Sequence, residues 1–141
     1  MSEAYPDKNV TTLRDDVVPY DRDRHHDWVK STWCWGARQS WPALTKLLAR
    51  PEGRCVVAQS PDDPNVFYAW AAVLGPAVVW AYTRDWPDDR RCKGRMTNLL
   101  LLLGVDVSKP TPCLFWSPAA AQIAARGYRI YYAPEGAKEA A

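Results

Sequence analysis

Three short β-rich runs follow one another between Arg54 and Thr83, and they constrain the fold more than any other part of the chain. Arg54–Gln59 (RCVVAQ), Val66–Val73 (VFYAWAAV) and Ala77–Thr83 (AVVWAYT) are separated by SPDDPN and by Gly75-Pro76, which are turn-forming combinations. The three runs therefore predict a β-meander. After Thr83 the pattern changes. A polar, Pro-containing turn packs five basic residues into Arg84–Arg95 around a lone Gly94, and five leucines, Leu99–Leu103, follow. A strand, a basic glycine turn and a helix in that order present unpaired backbone N–H groups and positive charge to a phosphate. The stretch is a candidate site for a phosphorylated cofactor, with the five leucines as a buried helix face.

The flanks supply the rest of a domain. Residues 1–9 are polar and read as a loose N-terminus. Val10–Val18 predicts a first strand ended by Pro19. Asp21 or Asp23 can cap a helix running through His25 to about Trp35, with Trp28, Val29 and Thr32 on one face. A second helix is expected from Ser40, with Leu44, Leu47 and Leu48 at helical spacing, stopped by Pro51, Glu52 and Gly53. Beyond the meander the sequence predicts a helix over about Gly94–Leu103 and a strand over Thr111–Trp116. A helix over Pro118–Arg126, closed by Gly127, leads to a last strand over Tyr128–Tyr132. The Glu/Lys/Ala tail, residues 135–141, reads as disordered. The order β-αα-βββ-α-β-α-β over residues 10–134 predicts one α/β domain: a mixed, mostly antiparallel sheet with helices on both faces.

A chain of 141 residues is one domain's worth. The formal net charge of +2 is too small to mark a nucleic-acid binder by field alone, so the local basic cluster is more informative than the total. Eight tryptophans and seven tyrosines are unusual for this length; most are expected to fill the core and some to line a groove. Cys34, Cys55, Cys92 and Cys113 form no C-x-x-C pair, which argues against structural zinc. Cys55 and Cys113 fall in expected strands and read as small core residues. Scattered thiols without a signal peptide fit a reducing, cytoplasmic setting. No apolar run reaches the roughly 20 residues of a membrane span. His25-His26 reads as a surface pair at a helix start, because neighbours on a helix point about 100° apart and chelate poorly.

The strand order, with its basic glycine turn after the fourth strand, resembles the GNAT superfamily of acyl-CoA-dependent N-acetyltransferases. Arg91-Cys92-Lys93-Gly94-Arg95-Met96 matches the first four positions of that family's Arg/Gln-x-x-Gly-x-Gly/Ala pyrophosphate motif. RGYRIYY resembles its C-terminal Gly-Phe segment. HDWVKSTW, LTKLLARP, CVVAQSPDDPN and WSPAAAQIAARG look like a group of short phage-encoded GNAT-like proteins.

The resemblance implies acetyl-CoA or another acyl-CoA as co-substrate, no metal, and an amine acceptor on a protein, on modified DNA or on a small molecule. It implies no membrane partner, and it places the protein in the host cytoplasm with a viral or host protein as a further partner. Backbone amides of Cys92 to Met96 would face the pyrophosphate, with Arg91, Lys93 and Arg95 adding charge. The pantetheine arm would pair with the end of the fourth strand, Ala81, Tyr82 and Thr83. Its far side would lie near Phe115 to Ser117.

Three positions depart from the family. Met96 replaces a small residue, Ile123 stands where members often carry a tyrosine, and AVVWAYT has no glutamate. The candidates for proton transfer are then Asp85, which follows the fourth strand, and Tyr82 or Tyr131 as donor to the sulfur. The alternative is a non-catalytic GNAT-fold phage accessory or virion protein that uses the scaffold for interaction.

Overall fold

A two-residue turn at Gly75-Pro76 joins the strands Phe67–Leu74 and Ala77–Thr83. Gly75 takes φ +58°, and the fixed negative φ of proline follows it. That sign pattern is the type II′ turn, whose twist matches the strands it connects. The computed structural model describes residues 16–33, 41–60, 62–83 and 95–135.

The elements, in chain order, are β1 (Asp16–Pro19), α1 (Arg22–Trp33), α2 (Trp41–Leu48), β2 (Gly53–Gln59), β3 (Phe67–Leu74), β4 (Ala77–Thr83), α3 (Arg95–Leu102), β5 (Thr111–Cys113), α4 (Pro118–Ala125) and β6 (Ile130–Tyr132). The order is the one the sequence predicts. Residues 10–15 of the expected first strand, Trp35, Ser40 and both chain ends lie outside the described residues.

The six strands lie side by side in sequence order. The pairs β1–β2, β2–β3 and β3–β4 are antiparallel. The pairs β4–β5 and β5–β6 are parallel, as they must be when α3 and α4 carry the chain back across the sheet.

Strand alternation sorts the interior into two cores. Ala69, Ala71 and Val73 of β3 face Met96, Leu99 and Leu100 of α3 and Ile123 of α4. Trp70 and Ala72 face Val29 and Trp33 of α1 and Leu44 and Leu47 of α2. The sheet is therefore covered by one pair of helices on each face.

Local chemistry sets the helix ends. Asp21 accepts the Asp23 N–H at 3.0 Å, which makes it the cap of α1. After α3, Gly104 has φ +86°; its N–H reaches Leu101 O at 2.9 Å and the Val105 N–H reaches Leu100 O at 2.8 Å. That is a Schellman motif with a buried Val105–Leu100 contact. Arg54 Nη1 donates to Leu103 O at 3.1 Å and satisfies another end carbonyl. Gly53 is required for a different reason: a Cβ there would stand 2.6 Å from Leu48 O.

Several expectations are corrected. Only Leu99, Leu100 and Leu103 of the leucine run are buried, while Leu101 and Leu102 are 58% and 63% exposed. Five consecutive residues at 100° steps cannot share one helix face. β5 stops at Cys113, not Trp116, because the chain turns there to start α4. β6 begins at Ile130, not Tyr128, because Tyr128 N–H still bonds Ile123 O in the helix exit.

His25 is not a surface residue: it is fully buried between Tyr20 and Phe67. Its Nδ1 accepts the Asp21 N–H at 2.9 Å and its Nε2 lies 3.3 Å from Gln59 Oε1. Among the described residues no helix is long and apolar enough to cross a membrane.

Candidate functional site

β4 leaves its parallel neighbour almost as soon as the two meet. Their register consists of Val78↔Cys113, extended by the Leu114 N–H bond to Val78 O at 2.8 Å. β4 then runs on to Thr83 while the β5 chain turns away into α4. A bulge sits at the parting point. On β3, Val73 pairs with Val78 and Ala72 with Trp80, so Val79 is an extra residue. Consistent with that count, Val79 and Trp80 are consecutive yet both pack into the α1/α2 core. Bulges bend and twist a strand, and this one steers β4 away from β5.

The result is a gap in the middle of the sheet. Trp80, Ala81, Tyr82 and Thr83 pair with β3 on one side. Among the described residues no strand pairs with them on the other. Backbone N–H and C=O groups in such a position need a partner, and an extended ligand can supply one.

Aromatic side chains floor the gap. Trp80 is buried and meets Trp33 edge to face with ring centroids 5.1 Å apart. Trp33 meets Phe115, on the far side of the gap, at 5.1 Å. Tyr82 rests against Trp28 of α1 at 5.7 Å. The Trp80 Nε1–H is buried and has no hydrogen-bond partner among the described residues, a group that favours a ligand acceptor.

Ser117 closes the far wall as the buried cap of α4. Its Oγ accepts the Ala120 N–H at 3.1 Å. Cys113, at the base, is a buried thiol that donates to Phe115 O at 3.2 Å, and burial pushes its pKa up to about 12. It is therefore no nucleophile.

The residues expected to bind a cofactor divide by position. Ala81, Tyr82 and Thr83 line the gap. Ser117 lies across it. Arg95 opens α3, and the Met96 side chain is buried in the α3/α4 core. Arg91, Cys92, Lys93 and Gly94, together with Asp85, lie outside the described residues.

Tyr82 and Tyr131 do not share a site. Val78, Cys113 and Tyr132 are level across three strands. Allowing for the bulge, Tyr82, opposite Trp70, stands three strand steps beyond that level and Tyr131 one short of it, a separation of about 16 Å at ordinary strand spacing. Tyr131 is half-exposed on the far edge of the sheet.

The sequence reading missed the bulge and the Trp33–Trp80–Phe115 cluster, and nothing in AVVWAYT marks Val79 as the extra residue. Among the described residues no three His, Cys, Asp or Glu side chains come together. His26 stacks edge-on against Trp41 at 5.2 Å, apart from the buried His25. A second cavity, of about 360 Å³, opens between the helices and the β1–β2 edge, lined by Tyr20, Val29, Trp41, Leu48 and Cys55 among others. Its lining is apolar, and burial pushes the Cys55 thiol up to about 12.

No family model, curated protein or solved structure matches this chain.

Proposed function

We propose that this protein is an acyl-CoA-dependent N-acyltransferase of the GNAT type, carrying an acyl group, acetyl in the simplest case, from coenzyme A to an amine. One observation carries the reading: β4 continues past β5, and among the described residues Trp80–Thr83 are paired on one side only. A pantetheine arm is an extended chain with two amide groups. An unpaired strand edge offers donors and acceptors at matching intervals.

In this reading the turn that follows β4 holds the pyrophosphate. Backbone amides about Gly94, with Arg91, Lys93 and Arg95, supply hydrogen bonds and charge. The inward turn of Met96 leaves room where the family has a small residue. The amine attacks the thioester carbonyl carbon, the C–N bond forms and the C–S bond breaks. The thiolate of coenzyme A leaves and is protonated by solvent or by Tyr82, the candidate donor to the sulfur, and the proton lost by the amine is taken up by solvent or by Asp85, the candidate base. A strand-end N–H polarises the carbonyl.

The second reading is a non-catalytic protein on the same scaffold, an accessory or virion component. It is favoured by Ile123, which is buried where the family often carries a tyrosine, and by the absence of a strand glutamate.

Thermal unfolding with and without coenzyme A tests the binding. A ligand at 100 times its dissociation constant adds about 2.7 kcal/mol, a rise of several degrees in Tm. No rise at millimolar coenzyme A sinks both the cofactor and the activity. A rise that survives Gly94→Glu places the phosphates elsewhere. Release of free thiol from acetyl-CoA only when an amine is present separates the enzyme from the non-catalytic reading.

A further inference from the structure

We infer that the edge of the sheet at β6, with the turn that enters it, binds single-stranded nucleic acid. Among the described residues the exposed large apolar side chains fall in two places. One is the Leu101–Leu102 pair on α3. The other is wholly aromatic: Trp116, Tyr128, Tyr131 and Tyr132, between 37% and 54% exposed. Single exposed rings are ordinary, but four at one end of a sheet form a surface.

The fold puts these rings on display. Among the described residues β6 pairs only with β5, which leaves its outer edge without a strand partner there. Ile130 takes the face that points into the α3/α4 core, which sends Tyr131 to the opposite face and Tyr132 back to the first. Tyr132 lies 6.2 Å from Trp116 with the two planes 57° apart. The edge therefore carries flat, accessible rings on both faces.

Charge supplies the second half of the argument. From Val107 to Pro134 the chain contains no Asp or Glu, and its charged residues are Lys109, Arg126 and Arg129. All three are exposed. Neither Arg126 nor Arg129 has an ion-pair partner among the described residues. Arg126 follows the last turn of α4 and Arg129 precedes β6, so cations and rings alternate along Arg126, Tyr128, Arg129, Tyr131 and Tyr132. Asp106 and Glu135 bound the stretch, and Asp106 lies near Lys109, which leaves Arg126 and Arg129 as the cations of the β6 entry.

Unpaired bases offer faces on which tyrosine and tryptophan stack, and the phosphodiesters between them take the guanidinium charge. A duplex hides its base faces. A neutral sugar leaves both arginines idle, and an acidic peptide sets four rings against a polar chain. The proposal does not rest on acyl transfer: Tyr128, Arg129, Tyr131 and Tyr132 belong to β6 and its entry, two strands away from Trp80–Thr83, and only Trp116 neighbours the far wall of the gap.

The test is fluorescence anisotropy with end-labelled dT12 and U12 on the full chain. Both are expected to bind alike, since no group here reads a 2′-hydroxyl. The Kd should rise with salt on a log–log slope of about 1.4 to 2, for two to three phosphate contacts on a single strand. Tyr131→Ala and Tyr132→Ala should each weaken binding about tenfold. The double variant Arg126→Ala/Arg129→Ala should weaken it and reduce the slope by about 1.4. Leu101→Ser/Leu102→Ser should leave it unchanged.

Crosslinking of unaltered protein to 4-thiouridine-substituted U12 gives a readout free of any folding defect, and should label the peptide from Trp116 to Tyr132. Absence of binding to dT12 and U12, equal affinity for a duplex, crosslinks confined to other peptides, or wild-type affinity in the tyrosine and arginine variants would each overturn the proposal.

Discussion

The Trp70 indole N–H donates to Thr32 Oγ1 at 2.6 Å, tying the last turn of α1 to the centre of β3. Thr32 in turn bonds the carbonyls of Trp28 and Val29 at 3.0 and 3.1 Å. Trp28 is the residue against which Tyr82 rests. The floor of the gap beside β4 is thus registered on α1 through one buried hydroxyl.

Two buried tryptophans make a controlled comparison. Trp70 has a hydrogen-bond partner, whereas the Trp80 N–H has none. Trp70→Phe loses ring volume and a buried hydrogen bond; Trp80→Phe loses ring volume alone. In urea unfolding without ligand, Trp70→Phe should cost about 1 kcal/mol more. Equal costs would show that the Trp80 N–H is satisfied in solution.

Gly53 is predicted to tolerate no side chain. The Cβ of Gly53→Ala would meet Leu48 O at 2.6 Å, with Leu48 Cα and C also within 3.0 Å, and all three atoms are backbone. The end of α2 must shift, at a cost of about 1–3 kcal/mol. A melting temperature within a degree of wild type would contradict the close packing of α2 on β2.

Acid should destabilise the fold through His25. Burial holds its pKa below the usual histidine value, opposed by the bond to Gln59. The folded protein keeps the ring neutral while the unfolded chain protonates it. Stability is then fully present above about pH 6.5, the unfolded value, and falls as pH drops toward the folded value. Urea midpoints from pH 8 to pH 5 should show this decline, and it should be smaller in His25→Phe. An identical decline in that variant would assign it to other groups.

Thiol labelling offers a separate check on the cores. Burial pushes both Cys55 and Cys113 up to about 12, so neither carries appreciable thiolate at pH 8. Iodoacetamide should leave both unmodified in the native protein and modify both in urea. Native labelling of Cys113 would show that the base of the gap opens to solvent.

Much of this architecture is written locally in the chain. Turn residues and uniform β character mark β4 from Ala77 to Thr83 without error, and Asp21 caps α1 as its position suggests. What the sequence could not convey depends on distant neighbours. TPCLFW has strand character throughout, yet β5 ends at Cys113 because the chain must leave to start α4. His25 looks polar and exposed until Tyr20, Phe67 and Gln59 close over it. The site behaves the same way. Ala81, Tyr82 and Thr83 were legible as the end of a strand before a basic turn. The bulge at Val79, which parts that strand from β5, arises from a register between β3 and β4 that no local pattern encodes.

The central claim is that an acyl-CoA lies along the unpaired edge of β4. Hydrogen–deuterium exchange of the peptide spanning Trp80–Thr83, measured with and without saturating coenzyme A, tests it most directly. The account predicts slower exchange of those amides when coenzyme A is bound. Unchanged exchange there, at a coenzyme A concentration that saturates binding, would contradict it.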